Sequence, residues 1–160
     1  MAKILWMDDY AGKGSKDRIG FDGLVFFIEN NGHTVEIAST RERMEGVIPT
    51  ISSYDLLILD IIMEPLTGSS LGEHPYGGMD VLERLKASTP LIPIIILSVM
   101  PSRLIKEEAE RRSLDLADLG VREVKRKGSL TPTALAALVE TYLRSGGAID
   151  ERNGPEGRGQ

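Results

Sequence analysis

The sequence has no cysteine among its 160 residues. Disulfides, thiolate metal sites and cysteine nucleophiles are excluded together, a usage that suits a reducing cytoplasm. It also lacks a basic excess. Asp and Glu number 24 against 19 Lys and Arg, a formal net charge of −5. Phosphate contacts need a basic field, so a dedicated nucleic-acid binder is not expected. Long hydrophobic runs are missing as well: no stretch reaches the 18 or so apolar residues of a membrane span. The opening Met-Ala-Lys-Ile-Leu-Trp-Met run is too short for a leader and meets two aspartates at once. A soluble, cytoplasmic chain is expected.

What is present is ordinary for a globular chain, with 41% hydrophobic and 27% charged residues. The length predicts one domain and falls well short of the roughly 250 residues of a (β/α)₈ barrel. Five short apolar runs alternate with helical patterns: Lys3–Met7, Thr34–Ala38, and residues 55–63, 93–99 and 123–125. Leu56 to Ile62, interrupted only by Asp60, and Ile94 to Leu97 are apolar without alternation, as central strands of a parallel sheet buried on both faces should be.

Leu24, Phe27 and Ile28 recur at helical spacing before an Asn31-Gly32 stop. Ser39 and Glu42 stand at capping-box spacing ahead of a second helix that must end before Pro49. A third helix is predicted over 79–87 and a fourth from Ser102 through the charged stretch to residue 112. The fifth has Thr131 as N-cap, Pro132 at its first position, and a buried stripe of Leu135, Leu138, Val139 and Tyr142 before Gly146-Gly147. Residues 1–147 therefore read as one (βα)₅ domain and residues 148–160 as a polar, glycine-rich tail.

In an open α/β sheet, ligands bind beyond the carboxyl ends of the strands where the strand order reverses. For the order 2-1-3-4-5 that crevice lies between the first and third strands. The first run ends in Asp8-Asp9, the third reaches Asp60, the fourth ends in Ser98, and the fifth runs into Lys127. Three clustered carboxylates repel, and a hard divalent cation with oxygen ligands, Mg²⁺ above all, relieves that repulsion. With the metal bound, one carboxylate can attack phosphorus while cationic groups neutralise the phosphoryl oxygens. The chemistry points to an aspartyl phosphate.

The residues that carry this reading also resemble the receiver domain of bacterial two-component response regulators. Ile4-Leu5-Trp6-Met7-Asp8-Asp9 is similar to the family's first strand and acidic pair. The stretch from Tyr54 to Met63 resembles the phosphoacceptor strand, Gly78-Met79-Asp80-Val81-Leu82 the start of the third helix, and Pro93 to Ser98 the fourth strand with its switch hydroxyl. Gly120-Val121 followed by Lys127 resembles the lysine-bearing segment.

The resemblance implies a flavodoxin-like, doubly wound fold and a stand-alone receiver. It assigns Asp60 as phosphoacceptor, Asp9 as a direct Mg²⁺ ligand, Asp8 as a ligand through water, and the Ile62 backbone carbonyl as a further ligand. Ser98 and Lys127 would hold the phosphoryl oxygens. The implied partners are a histidine kinase or phosphotransfer protein and a downstream protein, with no direct nucleic-acid or membrane contact.

Three residues depart from the family's pattern: Glu64 precedes Pro65, Gly128 follows the lysine, and Val124 stands where an aromatic is usual. The connections over 10–16, 66–77 and 100–119 are long. These departures bear on signalling output, and they leave open an interaction module that works without phosphorylation. A Mg²⁺-dependent phosphatase is disfavoured, because Ile62 cannot serve as the acid or base such chemistry wants two residues after its nucleophile; no turnover enzyme is expected. The Gly12-Lys13-Gly14-Ser15 segment lacks phosphate-loop spacing and reads as a lid. His33 and His74 read as surface residues, Trp6 as core, and Met7, Met63 and Met100 as packing around the pocket.

Overall fold

The computed structural model describes residues 1–9, 17–69, 73–88 and 92–145. Its strands are β1 (Lys3–Met7), β2 (Thr34–Ala38), β3 (Leu56–Leu59), β4 (Ile94–Ser98) and β5 (Val121–Arg126). They alternate with helices α1 (Asp17–Asn30), α2 (Arg41–Val47), α3 (Gly77–Lys86), α4 (Ser102–Arg111) and α5 (Pro132–Ser145). All five strands pair in parallel in the order β2-β1-β3-β4-β5. This is the expected flavodoxin-like arrangement.

Side-chain alternation along the strands divides the core in two. Leu5, Met7, Leu57, Leu59, Ile94 and Ile96 meet α2, α3 and α4 on one face. Ile4, Trp6, Leu56, Ile58, Ile95 and Leu97 meet Ile28 of α1 and Leu135 and Val139 of α5 on the other. Fully burying each such side chain contributes about 1.5–3 kcal/mol. Because both faces are covered, β3 and β4 read as unbroken apolar runs. Trp6 is core, its ring set edge-on to Phe21 at 4.6 Å, and the three methionines pack in the α2–α4 layer.

Helix ends follow local chemistry. The α1 helix stops where Gly32 takes φ +91° and its N–H bonds the Glu29 carbonyl. Thr131 caps α5, its hydroxyl accepting the Ala134 N–H at 3.2 Å. The α2 cap is Thr40, not Ser39: Thr40 Oγ1 accepts the Arg43 N–H at 3.2 Å. Pro49 does end the α-helix, and a 3₁₀ segment, Ile48–Ser53, follows it.

The two histidines are not surface residues. His33 Nδ1 accepts the Ala2 N–H, so Nε2 carries the proton and donates to Glu140 of α5. His74 Nδ1 accepts the Tyr76 N–H at 3.0 Å, which turns Nε2 toward Ser69 and Asp80. Each ties an element edge to a helix, a role that spacing between histidines could not reveal. Residues 10–16, with the expected lid, and 146–160, with the Gly146-Gly147 stop and the tail, lie outside the described residues.

Candidate phosphoacceptor site

Strand register builds the site. Met7 pairs with Leu59, and the Asp60 N–H bonds the Met7 carbonyl at 3.0 Å, so the residues just past β1 and β3 lie side by side. Those residues are Asp8 and Asp60, each 1% exposed, with Asp9 half-buried next to them. One carboxylate oxygen from each of the three lies within 4.8 Å of the others. At about 5 Å and an effective dielectric near 20, each like-charged pair costs roughly 3 kcal/mol.

Lys127 answers part of that charge. The Lys127 N–H bonds the Ser98 carbonyl at 3.0 Å, which fixes the backbone beyond β5 against the end of β4. From there Nζ reaches Asp8 Oδ2 at 2.7 Å and Asp60 Oδ2 at 2.8 Å. Burial works against the ammonium, but the Asp60 and Asp8 carboxylates outweigh it and hold its pKa above the usual lysine value. Asp60 is held from both sides, since Oδ1 accepts the Ile62 N–H at 3.2 Å.

The loop after Asp60 is shaped by α3. The Gly78 and Gly77 N–H groups bond the carbonyls of Ile61 and Met63. Between them, the Ile62 carbonyl accepts no hydrogen bond among the described residues. An ideal Cβ on Gly78 would fall 2.1 Å from the Asp60 carbonyl oxygen, and one on Gly77 would fall 2.0 Å from that of Glu64. Two glycines therefore let the helix start press on the site loop, and α3 begins at Gly77, two residues before the apolar period shows it. The family resemblance implies for Gly78 only a place at the start of the third helix. The adjacent Gly-Gly after a strand was the signal of close backbone approach.

Ser98 is wholly buried at the end of β4. Its hydroxyl accepts the Met100 N–H at 3.3 Å. Four predicted residues, Asp8, Asp9, Asp60 and Lys127, are thus in one cluster. Ser98 stands on the neighbouring strand end with its hydroxyl bonded to its own loop. The donor set fits a hard divalent cation: carboxylate oxygens in excess, a carbonyl beside them, and no imidazole or thiolate grouped with them among the described residues.

Solved structures match this architecture over most of the chain. A CheY-like response regulator receiver domain protein from Methanospirillum hungatei is 19% identical, with a TM-score of 0.62 and coverage of 91% of this chain and 95% of that one. The Francisella response regulator 1452 receiver domain is 21% identical, with a TM-score of 0.61 and 90% and 98% coverage. The N-terminal domain of a response regulator/sensory box/GGDEF protein from Carboxydothermus hydrogenoformans is 25% identical, with a TM-score of 0.55 and 89% and 94% coverage.

The chain has the receiver fold. No protein-family model and no curated protein matches it. At these identities the likeness speaks for the fold alone. No helix among the described residues is long and apolar enough to cross a membrane.

Proposed function

We propose that this chain is a response regulator receiver that accepts a phosphoryl group on Asp60 and signals by binding another protein. The observation that carries the reading is a buried Asp60 carboxylate gripped by Lys127 and the Ile62 N–H, with Asp8 and Asp9 at metal-sharing distance.

The donor is the phosphohistidine of a histidine kinase or phosphotransfer protein in the cytoplasm. An Asp60 oxygen attacks phosphorus, the P–N bond breaks, and its electron pair stays on the imidazole, which takes up a proton. Lys127 keeps its charge throughout, since its pKa is raised, and moves from screening two carboxylates to screening the phosphoryl oxygens. Asp9, Asp8 by way of water, Asp60 and the Ile62 carbonyl would hold Mg²⁺. When bound, it supplies charge neutralisation at the transferring group. Ser98 turns its hydroxyl from acceptance of the Met100 N–H to donation toward the phosphoryl group.

The acyl phosphate formed should be long-lived. Ile62, two residues after Asp60, and Met100, two after Ser98, carry no acid or base to activate water. The protein therefore acts stoichiometrically and not as a turnover enzyme.

Incubation with a small acyl phosphate donor and Mg²⁺, followed by intact-mass measurement, tests this. A gain of one phosphoryl group that needs Mg²⁺ and is lost in Asp60→Asn supports it. No adduct at saturating Mg²⁺ would overturn it in favour of an interaction module independent of phosphorylation, and steady release of inorganic phosphate would indicate a phosphatase.

A further inference from the structure

A second buried ionic cluster lies away from the phosphoacceptor site. Arg112, just past α4, has a side chain only 2% exposed. Its Nη1 bonds Asp80 of α3 at 2.8 Å and reaches Glu83 at 3.4 Å, while Nε bonds Glu108 one turn back at 3.0 Å. Asp80 is itself a hub. It accepts the Leu66 N–H at 2.9 Å and the Ser69 hydroxyl at 3.2 Å, with His74 Nε2 at 3.2 Å. The long β3–α3 connection, the start of α3 and the end of α4 are fastened at one carboxylate.

The backbone at this end of α4 is closed as well. Ser113 takes φ 55°, left-handed for a residue that is not glycine. The Ser113 N–H bonds the Glu110 carbonyl and the Leu114 N–H bonds the Ala109 carbonyl, the paired bonds of a Schellman cap. Leu114 and Ala109 are both buried. Lys86 Nζ, from the end of α3, holds the Ser113 carbonyl at 3.2 Å. Unfavourable backbone of this kind persists where its surroundings over-determine it.

The other end of α4 is built differently. Its N-cap is Pro101, with no side-chain cap. The preceding turn is held by the Ser98 hydroxyl through Met100, and Val99 and Leu104 are 57% and 36% exposed.

We propose that α4 is a lever clamped at its C-terminal end by Arg112, Asp80 and Glu108 and free to move at its N-terminal end. Any pull on Ser98 is then confined to residues 99–107 and changes the surface around Val99 and Leu104, while residues 108–114 stay fixed to α3. The clamp stands on its own geometry; its use in signalling rests on the phosphoacceptor reading.

Hydrogen exchange on the full chain tests both parts. Without metal or ligand, Arg112→Lys and the charge-neutral double variant Asp80→Asn/Arg112→Met should each speed exchange at residues 112–114 by tenfold or more, with residues 105–107 changed by less than twofold. Exchange at 112–114 unchanged in two folded variants would overturn the clamp. With Mg²⁺ and beryllofluoride, wild-type changes should stop near residue 107, whereas those in Arg112→Lys should spread to 114. Equal wild-type changes at 112–114 would overturn the lever. If ¹⁹F NMR shows no bound beryllofluoride, the phosphoacceptor reading fails instead, and the ligand-free comparison alone decides the clamp.

Discussion

Two clusters in this protein are built from nearly the same parts and do opposite things. At the strand ends, Asp8, Asp9 and Asp60 gather about Lys127. Between α3 and α4, Asp80, Glu83 and Glu108 gather about Arg112. The difference lies in the cation and its exposure. The Arg112 guanidinium is a flat fork that bonds two helices at once, and its side chain is 2% exposed. The Lys127 ammonium is a compact point charge, 25% exposed, on a flexible stem. It neutralises one charge of three, and the carboxylates keep oxygens at metal-sharing distance of one another. One arrangement is a lock. The other, under the proposed function, seats a metal and a phosphoryl group.

The sharpest way to break this comparison is to remove each cation. Arg112→Met leaves Asp80 and Glu108 buried without their partner and should lower stability by about 3–5 kcal/mol, a loss that Mg²⁺ does not restore. Lys127→Met, at a more open site, should lower metal-free stability by about 1–2 kcal/mol, and Mg²⁺ should recover most of it. Urea unfolding with and without Mg²⁺ reads both. Rescue of the Arg112 variant by Mg²⁺, or none for the Lys127 variant, would erase the distinction.

The next effect comes from backbone approach. Gly78→Ala puts a methyl against the Asp60 carbonyl and should lower stability by about 1–3 kcal/mol. It should slow phosphorylation of Asp60 as well, because the loop that presents the carboxylate must shift. A variant with normal stability and rate would show that the loop yields freely.

Much of this was legible in the sequence, for definite reasons. β1 and β2 have the bounds their apolar runs gave, because each run ends in polar residues. The strand expected over 55–63 overruns β3, since Ile61 and Ile62 extend the apolar pattern past Asp60 after the chain has left the ladder to form the site loop. The strand expected over 123–125 falls short of β5, because its polar residues Arg122 and Arg126 face out from a sheet edge. The acidic cluster was readable because strand order alone carries Asp8 and Asp60 together. The Arg112 lock was not. Glu108 stands one turn before Arg112, but Asp80 and Glu83 come from another helix at no fixed spacing, and Asp80 sits in the apolar stripe of α3 as if it were an interruption.

Smaller effects refine the contrast. In metal-free solution Asp9→Asn should raise stability by about 1 kcal/mol by easing carboxylate repulsion, and should weaken stabilisation by Mg²⁺. Asp60→Asn should raise it less, since it also gives up a Lys127 contact. Thermal melts order the two, and lower stability in both would contradict a repulsive cluster. The least effect belongs to two tyrosines. Burial and hydrogen bonds to Glu36 and Glu123 push the Tyr54 and Tyr142 hydroxyls up to about 12. An unfolded tyrosine titrates near 10. The unfolded chain thus releases these protons first, so their contribution is complete below about pH 10 and lost toward about pH 12. The Tyr54→Phe/Tyr142→Phe variant should lose less stability than wild type across that window in urea titrations.

The most direct test of the central claim is to locate the phosphoryl group. After incubation with a small acyl phosphate donor and Mg²⁺, borohydride converts an aspartyl phosphate to homoserine, which peptide mass spectrometry places in the chain. The account requires homoserine at position 60 only, at a yield that falls when Mg²⁺ is chelated. Homoserine at Asp8, Asp9 or Asp80, or an unreacted Asp60 with Mg²⁺ bound, would contradict it.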